Sequence, residues 1–160
     1  MAVLEFQTEI NAPAENVFAY VSDLEKHVDW SGGQEIKKIS EGPLAVGSIY
    51  ETTEEGPFGI TFREKVEVIE HRAGKRFAWR SYGPLGSWYD WSFEVRASDG
   101  GAALVEHLDG SHGLPAAVAL KLFVRRQMNE SMPQGLAKIK ERIETSIGMS
   151  EPAFLRISEA

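Results

Sequence analysis

Cysteine is absent from the 160 residues. That excludes disulfide staples, thiolate zinc sites and a cysteine nucleophile. Basic residues are in deficit, with 17 Lys and Arg against 24 Asp and Glu and a net charge of −7. A chain of this sign is a poor non-specific binder of nucleic acid or of an anionic membrane. Long apolar runs are missing too. The strongest, 114–124, is interrupted by Pro115 and Lys121 and falls far short of the ~20 residues that span a bilayer, so no stable membrane insertion is expected. The opening Met-Ala-Val-Leu-Glu-Phe carries neither the basic stretch nor the apolar core of a secretory leader, which makes a cytoplasmic location the expectation. With no repeat and no low-complexity segment, the 42% hydrophobic content suffices for one domain with its own core.

The order of elements follows from periodicity. Leu4, Phe6, Thr8 and Ile10 alternate with Glu5, Gln7 and Glu9, a strand pattern. Pro13 and Glu15 open a short helix with Val17, Phe18, Val21 and Leu24 on its apolar face. Ser22-Asp23 restarts the chain into a second short helix that ends near Trp30, where Ser31-Gly32-Gly33 stops it. From 34 to 110 come runs rich in Val, Ile, Phe, Tyr, Trp and Thr, separated by turn signals such as Glu41-Gly-Pro43, Arg72-Ala-Gly74 and Asp99-Gly-Gly101. Consecutive antiparallel hairpins follow, about seven strands with the first included. A long helix over roughly 116–145 carries Val118, Leu122, Met132, Leu136, Ile139 and Ile143 on one stripe, and Pro133 is expected to kink or divide it. The domain spans 1–146, and 147–160 reads as a tail in which Phe154, Leu155 and Ile157 have the character to dock. The fold class is α+β, one curved antiparallel sheet around a long terminal helix. Such a pair of layers leaves a cavity between them, where small ligands bind.

The string Ile10-Asn-Ala-Pro13-Ala-Glu-Asn-Val17-Phe-Ala-Tyr-Val-Ser-Asp23, followed by Trp30, resembles the opening motif of the START-like (SRPBCC) superfamily. That superfamily includes the polyketide cyclase/dehydrase and lipid-transport proteins and the major pollen allergen group. Gly42-Pro-Leu-Ala-Val-Gly47, Glu70-His-Arg-Ala-Gly74-Lys-Arg-Phe-Ala-Trp79, Gly100-Gly101-Ala-Ala-Leu104-Val and the run from Gly135 to Glu144 resemble its later segments in the same order. The resemblance covers about 3–146 and implies a helix-grip fold with an internal apolar cavity. It is weak for function, because this fold hosts transporters, cyclases, hydrolases and pure binders.

Alternation nominates the residues that face the cavity. On 60–70, Ile60, Phe62, Glu64, Val66 and Val68 share one face; on the last strand Glu106 interrupts Ala102, Leu104 and Leu108. A buried carboxylate escapes its desolvation cost by keeping a proton or by finding a cation. Two inward carboxylates, Glu64 and Glu106, therefore make a candidate acid/base pair. Each is equally readable as the wet end of a strand or the partner of an arginine. Tyr89, Trp91, Phe93 and Val95 share a face, and Trp79 and Phe77 point the same way. Trp30 and Tyr50 join the cavity through the resemblance. Leu122, Arg125 and Asn129 fall on the helical stripe, with Arg125 a candidate partner of Glu64 or Glu106 or else part of a solvated patch with Arg126.

Among the histidines, His27-Val-Asp29 alone has a metal-like spacing and lacks a third ligand nearby. His71 is read into a turn, His112 into the start of the long helix, and His107 away from Glu106. No nucleophile elbow or phosphate-cradling glycine cluster occurs, so neither a cofactor nor a metal is expected. Three readings remain open. The first is a module that binds a lipid, quinone or polyketide-like molecule. The second is a cyclase or dehydratase using Glu64 or Glu106. The third is a partner-binding regulator without a ligand. The chain is read as a monomer or homodimer.

Overall fold

Alternation of apolar and polar residues is realised as seven strands, β1 Leu4–Ile10, β2 Glu35–Lys38, β3 Ile49–Glu55, β4 Thr61–Arg72, β5 Arg76–Tyr82, β6 Trp88–Ser98 and β7 Gly101–Ser111. The computed structural model describes residues 4–33, 35–55, 59–83, 86–111 and 117–150; within these, the side chains of 54, 55, 111, 117–124, 149 and 150 are not described. Every pairing is antiparallel, in the order β1-β7-β6-β5-β4-β3-β2. The hairpins are consecutive from β2 to β7, and the first strand completes the sheet beside the last.

Between β1 and β2 lie α1 (Ala14–Val21), a 3₁₀ turn (Leu24–His27) and α2 (Val28–Ser31). Pro13 stands just outside α1, and its carbonyl accepts from the amides of Asn16 and Val17. Asp23 restarts the chain as the sequence indicates, its carboxylate accepting from the Glu25 amide at 3.2 Å. Gly32, at φ +84°, ends α2 in the left-handed conformation that a side chain resists. The stop falls just after Trp30 and turns its indole under the long helix.

That helix, α3 (Ala117–Ser150), runs 34 residues, about 50 Å at 1.5 Å per residue. Pro133 lies inside it without dividing it. The helix also passes the expected end at 145, because Ile147, four residues after Ile143, continues the apolar stripe onto the core. Phe154, Leu155, Ile157 and His112 lie outside the described residues, as do the side chains of Val118 and Leu122. Met132, Leu136, Ile139 and Ile143 are buried. Leu136, Ile139 and Ile143 close a core that contains Val17, Phe18, Val21 and Leu24 from the short helices and Val68, Phe77, Phe93 and Leu104 from the sheet, while Met132 packs with Leu4 and Leu108 beside it.

One strand departs from simple alternation. The β4–β5 register slips between Val68 and Glu70, a bulge that moves later residues to the opposite face. His71, expected in a turn, therefore lies within β4, its ring 5.8 Å from Phe18 and 6.0 Å from Phe77.

Close backbone approach fixes the start of β7. A Cβ built on Gly101 falls 2.1 Å from the Ile10 carbonyl oxygen. Gly101→Ala is expected to destabilise the fold by about 1–3 kcal/mol, the range for forced overpacking. Gly148→Ala, where a Cβ meets nothing within 4 Å, is expected to be neutral or to stabilise by up to about 1 kcal/mol. Urea denaturation midpoints of the two variants measure the contrast, and equal midpoints would contradict it.

Candidate functional site

The long helix packs on the core through Leu136, Ile139 and Ile143. Along 127–138 one side of it stands off the sheet around a cavity of about 580 Å³. Its floor comes from Thr52 of β3, Glu64 and Val66 of β4, Trp79 and Ser81 of β5, Tyr89 and Trp91 of β6 and Glu106 of β7. Leu24, His27 and Trp30 form one end. Gln127, Met128, Ser131, Gln134 and Lys138 of α3 form the rim; all but Met128 are exposed and mark the side open to solvent.

Aromatic rings make up much of the wall. The Trp79 and Trp91 ring planes lie within 6° of parallel, with centroids 6.3 Å apart. The Trp91 indole N–H donates to Ser81 Oγ at 3.1 Å. The His27 ring stands 4.7 Å from that of Trp30 and 5.0 Å from that of Trp79. His27 Nε2 lies 2.8 Å from the Val21 carbonyl oxygen. A carbonyl only accepts, so Nε2 carries the proton and the neutral ring has an unprotonated Nδ1. Burial holds its pKa down at about 4, against the smaller opposing effects of that hydrogen bond and of Asp23.

Among the described residues three buried side-chain polar atoms lack a hydrogen-bond partner, Trp30 Nε1, Glu106 Oε2 and His107 Nε2, and the first two belong to residues that line the cavity. Glu106 is 1% exposed, and its Oε2 has no hydrogen bond. Burial pushes its pKa up to about 8, so near neutral pH it is chiefly a carboxylic acid, a donor as well as an acceptor. The indole N–H of Trp30 is likewise buried without an acceptor. Trp30 is seated by Gly135 of α3, where a Cβ would lie 3.2 Å from Trp30 Cε3. Tyr89 has its pKa raised by burial and secondarily by the Glu64 carboxylate. Among the described residues no three His, Asp or Glu side chains gather as a metal site, and no helix is long and apolar enough to cross a membrane.

The residues nominated from the sequence separate into three groups. Trp30, Glu64, Trp79, Tyr89, Trp91 and Glu106 meet at the cavity. Tyr50, Phe93 and Leu104 are buried in the core behind it. Phe62, Arg125 and Asn129 are exposed and off the wall. Phe62 shares the face of Glu64 but sits near the tip of a 12-residue strand that outruns the layer above it, and it is 49% exposed. Arg125 and Asn129 do continue the stripe of Met132 and Leu136, but the sheet has curved away and nothing covers them. The rim residues Met128 and Ser131 lie to one side of that stripe, because each residue advances the helix by about 100°. Arg125 therefore reaches neither carboxylate.

Sequence reasoning missed His27, Gly135 and the rim. Two signals were present. Leu24, His27 and Trp30 recur every three residues, and a glycine inside a helix, costing about 1 kcal/mol relative to alanine, marks a close approach.

The family described as polyketide cyclase/dehydrase and lipid transport matches residues 1–144. The chain belongs to this family. Among solved structures, protein NE0264 from Nitrosomonas europaea is similar with a TM-score of 0.68 at 15% identity, covering 91% of this chain and 96% of its own. TTHA0849 from Thermus thermophilus gives 0.69 at 19%, covering 91% and 99%. The di-domain aromatase/cyclase StfQ of the steffimycin biosynthetic pathway gives 0.73 at 11%, covering 91% of this chain and 51% of StfQ. At these identities the likeness is one of fold. No curated protein matches the sequence.

Glu106 and His27 give opposite pH dependences. Native Glu106 holds its proton up to about pH 8, whereas the unfolded chain releases it near the ordinary 4.5. Its contribution to stability is complete below the lower value and is lost as pH rises through the higher, at up to about 1.4 kcal/mol per unit. Glu106→Gln should remove that slope, so the variant's advantage over wild type grows by a few kcal/mol between pH 5 and pH 8. His27 works in reverse. The unfolded ring takes a proton below about 6.5 and the native ring only near 4, so its contribution is lost as pH falls. His27→Gln should flatten the acid arm while lowering stability overall. Urea titrations at pH 4, 5, 6.5 and 8 check both signs; parallel curves for wild type and Glu106→Gln would refute the first.

Proposed function

We propose that the protein binds one small, largely apolar molecule in the cavity between α3 and the sheet, and holds it without chemical change. The observation that carries this reading is a space of about 580 Å³ with Trp30, Val66, Trp79, Tyr89 and Trp91 on its wall and polar groups concentrated at its rim and at Glu64, Ser81 and Glu106. That volume lies within the ~300–1,000 Å³ of small-molecule sites, and the mixture of an apolar wall with a few converging polar groups is their usual chemistry. Membership of a family described by both cyclase and lipid-transport activities supports ligand binding as the common denominator.

A second reading is favoured by one observation, the proton that burial keeps on Glu106 with Glu64 on the same wall. A neutral acid and a carboxylate lining one cavity can divide proton donation and proton removal between them, as enolisation or dehydration requires. Native mass spectrometry of freshly purified protein separates the two. A non-covalent ligand recovered unchanged after prolonged incubation supports binding, and its conversion to a new mass supports catalysis.

The site itself is tested with Nile red, an uncharged apolar dye. Val66, buried on the floor, is replaced in Val66→Trp to fill the space. Dye affinity should fall at least about tenfold, since the lost volume is that of the ligand. Phe62→Ser, which removes the exposed apolar side chain outside the cavity, should leave affinity within about twofold. Loss of dye binding in Phe62→Ser with retention in Val66→Trp would show that the dye binds the surface and would sink the proposal.

A further inference from the structure

Two of the unpartnered polar atoms belong to the cavity wall and define what the cavity recognises, an inference that rests on the binding function proposed above. Glu106 Oε2 and Trp30 Nε1 are buried, lack any hydrogen bond and belong to residues that line the same cavity. Buried polar groups are nearly always satisfied, and an orphan costs about 1–3 kcal/mol. Two of them on one wall are a standing demand for a partner that the described residues do not supply.

Among the described residues no cation pairs with Glu106. Its cross-strand neighbours are Phe6 on β1 and Phe93 on β6, and its same-face neighbours on β7 are Leu104 and Leu108. The titratable groups that line the cavity from other elements are His27, Glu64, Tyr89 and Lys138. His27 is neutral, and Lys138 is exposed on the rim. No hydrogen bond or ion pair joins Glu106 to a described residue, and burial alone accounts for its behaviour. The carboxyl therefore presents an O–H, and the indole an N–H. The carboxyl can donate through its O–H, the indole only donates, and neither serves an anion by charge.

We propose that the ligand is an uncharged ring compound bearing a hydrogen-bond-accepting oxygen, a ketone or quinone carbonyl, which receives the Glu106 O–H and the Trp30 N–H, and that anionic amphiphiles are rejected. The near-parallel Trp79 and Trp91 rings supply flat surface for the ring system. A ligand carboxylate would bring a negative charge into low dielectric with no described cation to offset it except the exposed Lys138 at the rim. Deprotonation of Glu106 turns the donor into an acceptor, so the carbonyl ligand is released as pH rises.

Three probes of matched shape test this: 9-fluorenone, fluorene and fluorene-9-carboxylate. They are titrated by isothermal calorimetry at pH 6 and pH 9, alongside Nile red. With wild type at pH 6, fluorenone should bind at least about tenfold more tightly than either of the others, the effect of one well-made buried hydrogen bond. From pH 6 to pH 9 its affinity should drop at least about fivefold while that of fluorene stays constant. Glu106→Gln should weaken fluorenone a few-fold at pH 6 and abolish the pH dependence. Glu106→Leu should erase the preference for fluorenone over fluorene, and Trp30→Phe should reduce it. The wild-type comparison needs no variant, so poor folding of a mutant leaves the test intact. Equal affinity for fluorenone and fluorene, tighter binding of the carboxylate, or an unchanged pH dependence in Glu106→Gln overturns the inference. If Nile red binds in the cavity and fluorenone does not, the inference fails and the binding function stands. If Nile red does not bind either, both fail together.

Discussion

A long helix lies against a sheet that curves, and the two surfaces can match over only part of their length. The match is made by Met132, Leu136, Ile139 and Ile143, spaced at three and four residues so that they form one ridge. Each buried side chain of this size contributes about 1.5–3 kcal/mol, enough to anchor the helix at its C-terminal half. Lys140 adds polar fixing at the edge, reaching the Glu9 carbonyl at 2.6 Å and Glu144 at 2.7 Å, while Glu144 also accepts from the Asn11 amide at 2.8 Å. Beside this ridge, along 127–138, the helix stands off the sheet, and the space under it is the cavity. The short helices complete the enclosure because Gly32 turns the chain after Trp30 and Gly135 gives its indole room on α3.

Water exclusion in this space sets the chemistry of whatever faces it. The same desolvation acts on Glu106 and His27 with opposite consequences for protons, keeping one on the acid and one off the imidazole. Both groups end up uncharged, so the interior presents hydrogen-bonding groups without net charge from these two residues. Their linkages to stability oppose one another over the range where both slopes operate, between about pH 4.5 and 6.5. Above that range only Glu106 still erodes stability.

The fold was legible because it is written in local patterns. Strand alternation, turn glycines and the helical stripe each act over a few residues, and they agree with one another. The positions of Trp79, Tyr89, Trp91 and Glu106 follow from the same parity rule, since no irregularity intervenes on β6 or β7. The rest required distances that parity does not contain. Phe62 has the right face but lies too far along the strand. Tyr50, Phe93 and Leu104 also face inward, but neighbours fill the space above them. Arg125 and Asn129 sit on the right stripe at a level where the sheet has withdrawn. His71 was hidden by a one-residue bulge, which reverses facing and leaves no mark in composition.

The outer face of the same sheet shows what this chain does with a charge it has no ligand for. Glu70 is flanked by Arg72 and Arg76. Glu94 has Arg96 at 2.8 Å, with Arg76 and His107 beyond. Arg80 grips Asp90 through two bonds of 2.6 and 2.8 Å while its guanidinium covers the Trp88 ring. Cations are thus available on β5 and β6, the strands that lie alongside or next to β7, and alternation directs them outward. A carboxylate at 106 on the inward parity of β7 is out of their reach by geometry. Between Leu104 and Leu108, a leucine at that position would satisfy the strand pattern, fill space and avoid the desolvation cost. Local rules are broken without internal compensation mainly where a structure meets something other than itself. Glu106 and the N–H of Trp30 are two such breaks in one cavity, and together they place the point of recognition on the floor beneath α3.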